Sequence, residues 1–577
     1  MDGCDETEQD VQPFESTMDT SIMDTTTEAN QDEESPLDAD GSIIDDVGPD
    51  PKSDDGDENA DDTNSSHVTD PEVISMDLTP IENNMPRDYI DIAIAFPCPR
   101  VSYFEVQLLE TERETFRAFY QALQRWPFLA GTIKVTKGEH GDKLTLVHSR
   151  GLTRDIVSRL YNIRRPIEDD CEEAIISPHD APMSCFRRDC FFPHDQDVDN
   201  ADDFPPVTLQ INFKDGMLVL GFSLNRVVFD GLAINNFLRQ YLRNTARYRT
   251  THPVTSRDMP DTIDPGPDNG YNLPFWEWDQ NCTPELPTPR KDLMVHTFYL
   301  TAHDVNRLRN KIREHDADSQ SSCLPSIQDC VFALFWVIAM RARCEAGMLI
   351  PSDAVSAHVM KPGYSKKPHP WEYIGNSTVD AVATCHATDL AGPFVTWNDA
   401  EYKITQPRRL AYAAQLLNTA QQKIDDRYMR KLHGLKQAIS PAEDKLASDR
   451  ALRRHTTSVC FEDWTGYASY CEGELPFIAD PQPSIFACPD QLEEGDVILL
   501  PREDRTNGPE DWAVAVCFTR DDIDTIEGVL HCEKWLSDSD HDEPQQKPKL
   551  IVKPQRVLQP KGMPEGHGKE GRFMLEY

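Results

Sequence analysis

Positive charge is scarce in this chain: 57 Lys and Arg stand against 100 Asp and Glu in 577 residues, a net charge of −43. Neutralising a phosphate backbone needs clustered Lys and Arg, so nucleic acid is excluded as a general partner. Long apolar runs are also missing. The longest, Cys330 to Met340, is well short of the ~20 residues a helix needs to cross a bilayer, and no membrane span is expected. The 15 cysteines include no Cys-x-x-Cys pair and no metal-ligand spacing with histidine. Free thiols in a reducing compartment are expected, and no metal. Asp195, Asp197, Asp199, Asp202 and Asp203 surround His194, but no glycine-spaced cation loop accompanies them, so they read as a solvated acidic loop. There is no Gly-rich phosphate loop of the Walker or dinucleotide type and no Gly-x-Ser-x-Gly, which removes nucleotide hydrolysis and serine hydrolase chemistry. The N-terminus shows no basic stretch followed by an apolar one, so no secretory signal is expected and the protein is placed in the cytoplasm, as a monomer.

What is present is unevenly distributed. Residues 1–70 hold 24 acidic side chains and one basic one, Lys52. Such a segment buries too little apolar area to offset its conformational entropy, so residues 1–71 are expected to be a disordered acidic tail. Order is expected from residue 72. Ile90, Ile92, Ile94 and Phe96 alternate as in a strand that Pro97 ends. Thr111-Glu-Arg-Glu114 has the pattern of a helix start, and Phe116, Phe119, Tyr120 and Leu123 share one helical face behind it. Trp126-Pro127 closes that helix. The basic cluster Arg154 to Arg165 and the acidic, Pro-rich stretch 166–206 read as loops. Val207 to Ile211 and Met217 to Ser223 form a hairpin across Lys214-Asp215-Gly216.

The stretch 252–292, rich in Pro, Asp and Gly, reads as a crossover between two halves. Beyond it, Val295 to Leu300 is a strand and Val305, Leu308 and Ile312 are in helical phase. Ser326-Ile-Gln-Asp329 looks like a helix start with a carboxylate at the dipole's positive end. Leu410, Ala414, Leu417 and Ala420 suggest a helix, Asp496 to Leu500 and Trp512 to Phe518 strands, and Ile523, Ile526 and Leu530 a last helix. Two mixed α/β domains are expected, at 72–251 and 293–535, with a flexible polar tail at 536–577.

One segment carries more chemistry than the rest. Gly216 to Gly231 reads as a strand, a tight turn and a helix, with Asn225-Arg226 before Val227-Val228-Phe229-Asp230-Gly231. It resembles the His-His-x-x-x-Asp-Gly segment of CoA-dependent acyltransferases, with Asn225 and Arg226 in place of the two histidines. Five further stretches follow in family order: Leu78 to Tyr89, Leu123 to Gly131, Ser326 to Trp336 with Arg341 and Arg343, Tyr373-Ile-Gly-Asn376, and Asp496 to Pro501. Together they are similar to the BAHD-type acyltransferases, most closely the fungal trichothecene acetyltransferase-like branch.

That resemblance implies two similar α/β domains of the chloramphenicol-acetyltransferase type with a tunnel between them. It implies acyl-CoA as co-substrate, no bound cofactor, and a small-molecule acceptor in secondary metabolism. The family's catalytic histidine falls at Arg226, and its structural aspartate at Asp230, for which Lys361, in a loop, is the expected basic partner. Gly231 permits the close turn. The family's second motif has its nearest counterpart in Ser469-Tyr-Cys-Glu-Gly473.

A guanidinium stays protonated and only donates hydrogen bonds, so Arg226 cannot act as the histidine does. Asn225 can orient a hydroxyl but cannot accept its proton. No other His-x-x-x-Asp occurs; His67 and His386 precede an aspartate by three positions. The expectation is therefore an acyltransferase with an altered base, in which Arg226 stabilises an oxyanion or holds a carboxylate. The alternative is an inactive binding protein on the same fold. A condensation domain shares the segment's pattern, but the chain has no adjoining carrier or adenylation segment.

Overall fold

A computed structural model of the chain describes residues 72–97, 105–138, 142–164, 183–193, 201–214, 217–245, 253–254, 292–316, 325–363, 373–391, 407–438, 457–467, 484–501 and 512–531. The acidic N-terminal tail, nearly all of the 252–292 crossover, the 536–577 tail and the Ser469 to Gly473 stretch lie outside the described residues.

The first half holds strands β1 (Val73–Asp77), β2 (Tyr89–Pro97), β3 (Thr132–Thr136), β4 (Lys143–Ser149), β5 (Tyr161–Arg164), β6 (Asp203–Phe204), β7 (Val207–Lys214) and β8 (Met217–Asn225). Its helices are α1 (Pro80–Asn83), α2 (Glu105–Arg125), α3 (Arg154–Ser158), α4 (Arg188–Phe191) and α5 (Gly231–Thr245). The second half adds strands β9 (Leu293–Leu300), β10 (Ala354–Pro362), β11 (Thr378–His386), β12 (Ser458–Asp463), β13 (Ser484–Ala487), β14 (Asp496–Leu499) and β15 (Trp512–Thr519). Its helices are α6 (Ala302–Asp316), α7 (Ile327–Glu345), α8 (Ala387–Ala391), α9 (Pro407–Gln422), α10 (Asp426–Ala438) and α11 (Arg520–His531).

These strands form three sheets. A small antiparallel one runs β1-β4-β3-β6. The first half's main sheet runs β13-β2-β8-β7-β5, and the second half's runs β11-β10-β12-β14-β15-β9. β2 and β8 are buried on both faces along almost their whole length, as central covered strands are. Phe222 of β8 meets the α5 side chains Phe237 and Tyr241 edge-to-face at 6.2 and 5.0 Å, which fixes the helix against one face of the sheet. α7 is buried nearly all round and starts on the Ser326–Asp329 capping box expected from the sequence.

Four local readings change. α2 begins at Glu105, so Thr111 and Glu114 lie inside it; Leu108, packed on the first core, carries the buried stripe upstream of the supposed cap. The described part of the Arg154 to Arg165 cluster, residues 154–164, is mostly helix and strand rather than loop. Thr153 caps α3 through the Ile156 amide, Arg154 stacks 5.4 Å over the Phe116 ring, and β5 joins the main sheet in parallel with β7. The described part of 166–206 holds α4 and β6 rather than pure loop. Lys361 lies on β10, not in a loop.

The connection between halves is closer than the linear order suggests. β13 leaves the second half of the sequence and pairs antiparallel with β2, Ala487 opposite Ile92 and Ser484 opposite Ala95. Phe486 on that strand stacks on Phe186 at 4.1 Å. Gln491, just beyond it, accepts from the Asp91 amide at 2.8 Å and donates to the Asp91 carboxylate at 2.9 Å.

Candidate functional site

The site is the turn between β8 and α5. β8 ends at Asn225, whose carbonyl accepts from the amides of Val228 and Phe229, both at 3.1 Å. Val227, Val228 and Phe229 are fully buried, so the turn is anchored by apolar side chains. The Asn225 side chain is held inside the turn: its amide donates to the Arg87 carbonyl at 2.7 Å, its oxygen accepts from Val227 N–H at 3.0 Å, and it also meets the Tyr89 hydroxyl. It shapes the turn and is buried away from solvent.

Asp230 caps α5. Its Oδ1 accepts from the Ala233 amide at 2.8 Å, satisfying a first-turn donor. Its Oδ2 accepts from the amide and hydroxyl of Ser377 in the second half, at 3.2 and 3.0 Å. The expected Lys361 contact is not made. The Lys361 ammonium donates to the Gln421 carbonyl at 3.0 Å, and burial lowers its pKa while Asp329 offsets this in part. Lys361 lies on β10, and its ammonium is taken up by α9 instead.

Gly231 has no positive φ; its need is for space. A methyl group there would lie 3.2 Å from the Tyr467 hydroxyl, which reaches across from the segment after β12. Tyr467 is buried, and its pKa is pushed well above the usual value by that burial, then by Glu462 and Asp230.

Arg226 differs from its neighbours in keeping a quarter of its side chain exposed. Its amide donates to the Asp88 carbonyl at 3.0 Å, and its own carbonyl accepts from Asn376 Nδ2. Nε lies 3.2 Å from Asp88 Oδ2, and Nη1 lies 4.0 Å from Glu462 Oε1 on β12. Glu462 Oε2 accepts from Trp464 Nε1 at 2.9 Å. The position thus carries a guanidinium between a carboxylate of the first half and one of the second. It can bind and stabilise negative charge; Arg226 itself cannot take a proton.

The Tyr373 to Asn376 stretch is the clamp on this turn. Asn236 of α5 donates to the Tyr373 carbonyl at 3.0 Å, and the Gly375 carbonyl accepts from the Asp230 amide at 3.1 Å. Asn376 Nδ2 also reaches the Phe229 carbonyl at 3.3 Å, while the Asn376 amide donates to Glu82 Oε1 at 3.1 Å. Reading the sequence missed Asp88, Ser377, Glu462 and Tyr467. Asp88 lies inside the Leu78 to Tyr89 stretch and Ser377 directly after Tyr373-Ile-Gly-Asn376, so both had a signal; Glu462 and Tyr467 come from a segment with no motif of its own. Among the described residues no cluster of His, Cys, Asp and Glu is arranged to hold a metal, and no helix is long and apolar enough to cross a membrane. The eight described cysteines are free.

A model of the Transferase family matches residues 188–437, which contain this turn and its clamp. Acyltransferase BOA11 of Botryotinia fuckeliana is 25% identical over 299 residues, 47% of this chain and 62% of that protein. Omega-hydroxypalmitate O-feruloyl transferase of Arabidopsis thaliana is 24% identical over 239 residues, 41% of this chain and 48% of that protein. The chain therefore spans less than two thirds of the length of either relative. Among solved structures, F. graminearum TRI101 complexed with coenzyme A and deoxynivalenol superposes with a TM-score of 0.63 at 14% identity, over 80% of this chain and 98% of that one. F. sporotrichioides TRI101 complexed with coenzyme A and T-2 gives 0.60 at 16% identity, with the same coverage. At such identity the likeness is one of fold: a two-domain, chloramphenicol-acetyltransferase-like α/β protein. Over residues 188–437 the chain is thus similar in sequence to the Transferase family, and its fold is that of the trichothecene acetyltransferase structures.

Proposed function

We propose that this protein transfers an acyl group from acyl-CoA to a hydroxyl or amine of a small molecule of secondary metabolism, with Arg226 at the position of the family's catalytic histidine. The supporting observation is the Arg226 side chain, partly exposed at the junction of the two halves and 4.0 Å from Glu462 of the second. A guanidinium there suits the oxygen of a thioester carbonyl as it gains charge during attack. The curated relatives are named as acyl and feruloyl transferases, and the solved neighbours hold coenzyme A, which supports the donor class.

The test is release of free CoA from acetyl-CoA by the purified full chain with a panel of alcohols and amines. Release above the buffer rate is expected, and Arg226→Ala should lower it roughly 100-fold, the order seen when one oxyanion donor is removed. A silent wild type that begins to release CoA after Arg226→His would overturn native activity. That result would favour a second reading, a non-catalytic binding protein, whose support is the ion pair of Arg226 with Asp88 at 3.2 Å. On that reading small-molecule or CoA binding survives Arg226→Ala.

A further inference from the structure

We infer that Glu462 accepts the proton of the acceptor group, supplying from the second half the base that Arg226 cannot be; the inference rests on the acyl-transfer reading above. Glu462 stands at the end of β12, where parallel pairing with β14 sets it opposite Ile498. A carboxylate on a paired strand is held more closely in place than one on a loop. Its two oxygens differ. Oε2 is occupied by the Trp464 indole N–H at 2.9 Å, which fixes the plane of the carboxylate. Oε1 makes no hydrogen bond to any described residue and lies 4.0 Å from Arg226 Nη1, with 21% of the side chain exposed. It is an open acceptor, reachable by solvent, beside the guanidinium that would meet the thioester oxygen.

The other acids and bases nearby are less suited. Asp91 is 0% exposed and paired with Arg188, and Tyr467 is buried. Asp230 is 1% exposed and holds Ser377 and the Ala233 amide. Asp88 is 56% exposed and sits on the Nε side of Arg226, away from the second half's contact. Ionised carboxylates accept protons and offer no donor, as the step requires.

The step balances without a further reactant. As the acceptor oxygen or nitrogen attacks the thioester carbonyl carbon, its proton passes to Glu462 Oε1 and the carbonyl pair moves onto the oxygen facing Arg226. Collapse of the tetrahedral species re-forms C=O and breaks C–S. The departing thiolate takes the proton from Glu462, which returns to carboxylate.

The experiment uses the full chain with acetyl-CoA and the best acceptor of the panel. Glu462→Gln should lower kcat about 100-fold, the scale of a general base, with KM for acetyl-CoA unchanged. Glu462→Asp should keep part of the rate. Arg226→His combined with Glu462→Gln should regain turnover, because the imidazole restores a base at the same junction; a merely structural Glu462 would not be rescued this way. Full activity in Glu462→Gln overturns this inference alone. A loss in Glu462→Gln with wild-type thermal stability, unrelieved by the added histidine, also overturns it. A silent wild type overturns this inference and the transfer reading together.

Discussion

Asp91 shows how a single side chain sets its own balance of charge and burial. It is fully buried on β2, 3.1 Å from Arg188 Nε. Burial outweighs the arginine and raises its pKa from the usual 3.8 to about 7. Between those two values the folded chain binds a proton that the unfolded chain has released. The stability contributed by Asp91 therefore falls as pH climbs through that window, and the full cost is present above it. Asp91→Asn keeps an acceptor for Gln491 and removes the titration. Its urea midpoint should drop less between pH 5 and pH 8 than that of wild type; equal drops in both would disprove the assignment. At this scale the sequence was partly legible. Asn225, Arg226, Asp230 and Gly231 were picked out by the family pattern, yet their partners were not, since Ser377 is 147 positions from the carboxylate it binds.

Elements were more legible than contacts. The hairpin of β7 and β8, the start of α7 and the strand β15 follow from two-residue and 3.6-residue periods, which are local properties. β12 and β13 carry too few residues for a period to stand out, at 6 and 4. α3 and β5 were hidden by basic composition, because Arg154 is held by the Phe116 ring rather than by a hydrophobic stripe of its own. Packing between elements also sets limits that no period reveals. Gly221 of β8 lies under α4, and a methyl there would stand 1.9 Å from the Phe191 carbonyl oxygen. Gly221→Ala must push α4 from the sheet, at a cost of about 1–3 kcal/mol in thermal or urea unfolding. An unchanged melting temperature would show that α4 does not rest on this strand.

At the scale of the whole molecule the two halves of the sequence are not two separate sheets. β2 would be an exposed edge if β13 did not return to cover it, and an unpaired edge strand is open to aggregation. Residues 72–251 expressed alone lack β13, Gln491 and the Tyr373 to Ser377 clamp. This fragment should be insoluble or lack a cooperative melt, whereas addition of residues 293–535 in trans should restore soluble material. A stable, cooperatively melting 72–251 fragment would show that β13 is dispensable.

By itself the sequence determined the α/β character of both halves, the turn at Asn225 to Gly231 and the presence there of Arg226, a side chain that cannot take a proton. Those depend on residue type and on spacing within one turn or strand. Tertiary structure alone decided that Asp230 answers to Ser377 and not Lys361, that Gly231 makes room for Tyr467, and that Glu462 faces Arg226. Each is a meeting of segments more than a hundred positions apart, and such meetings are set by sheet order and strand facing, which no local pattern records.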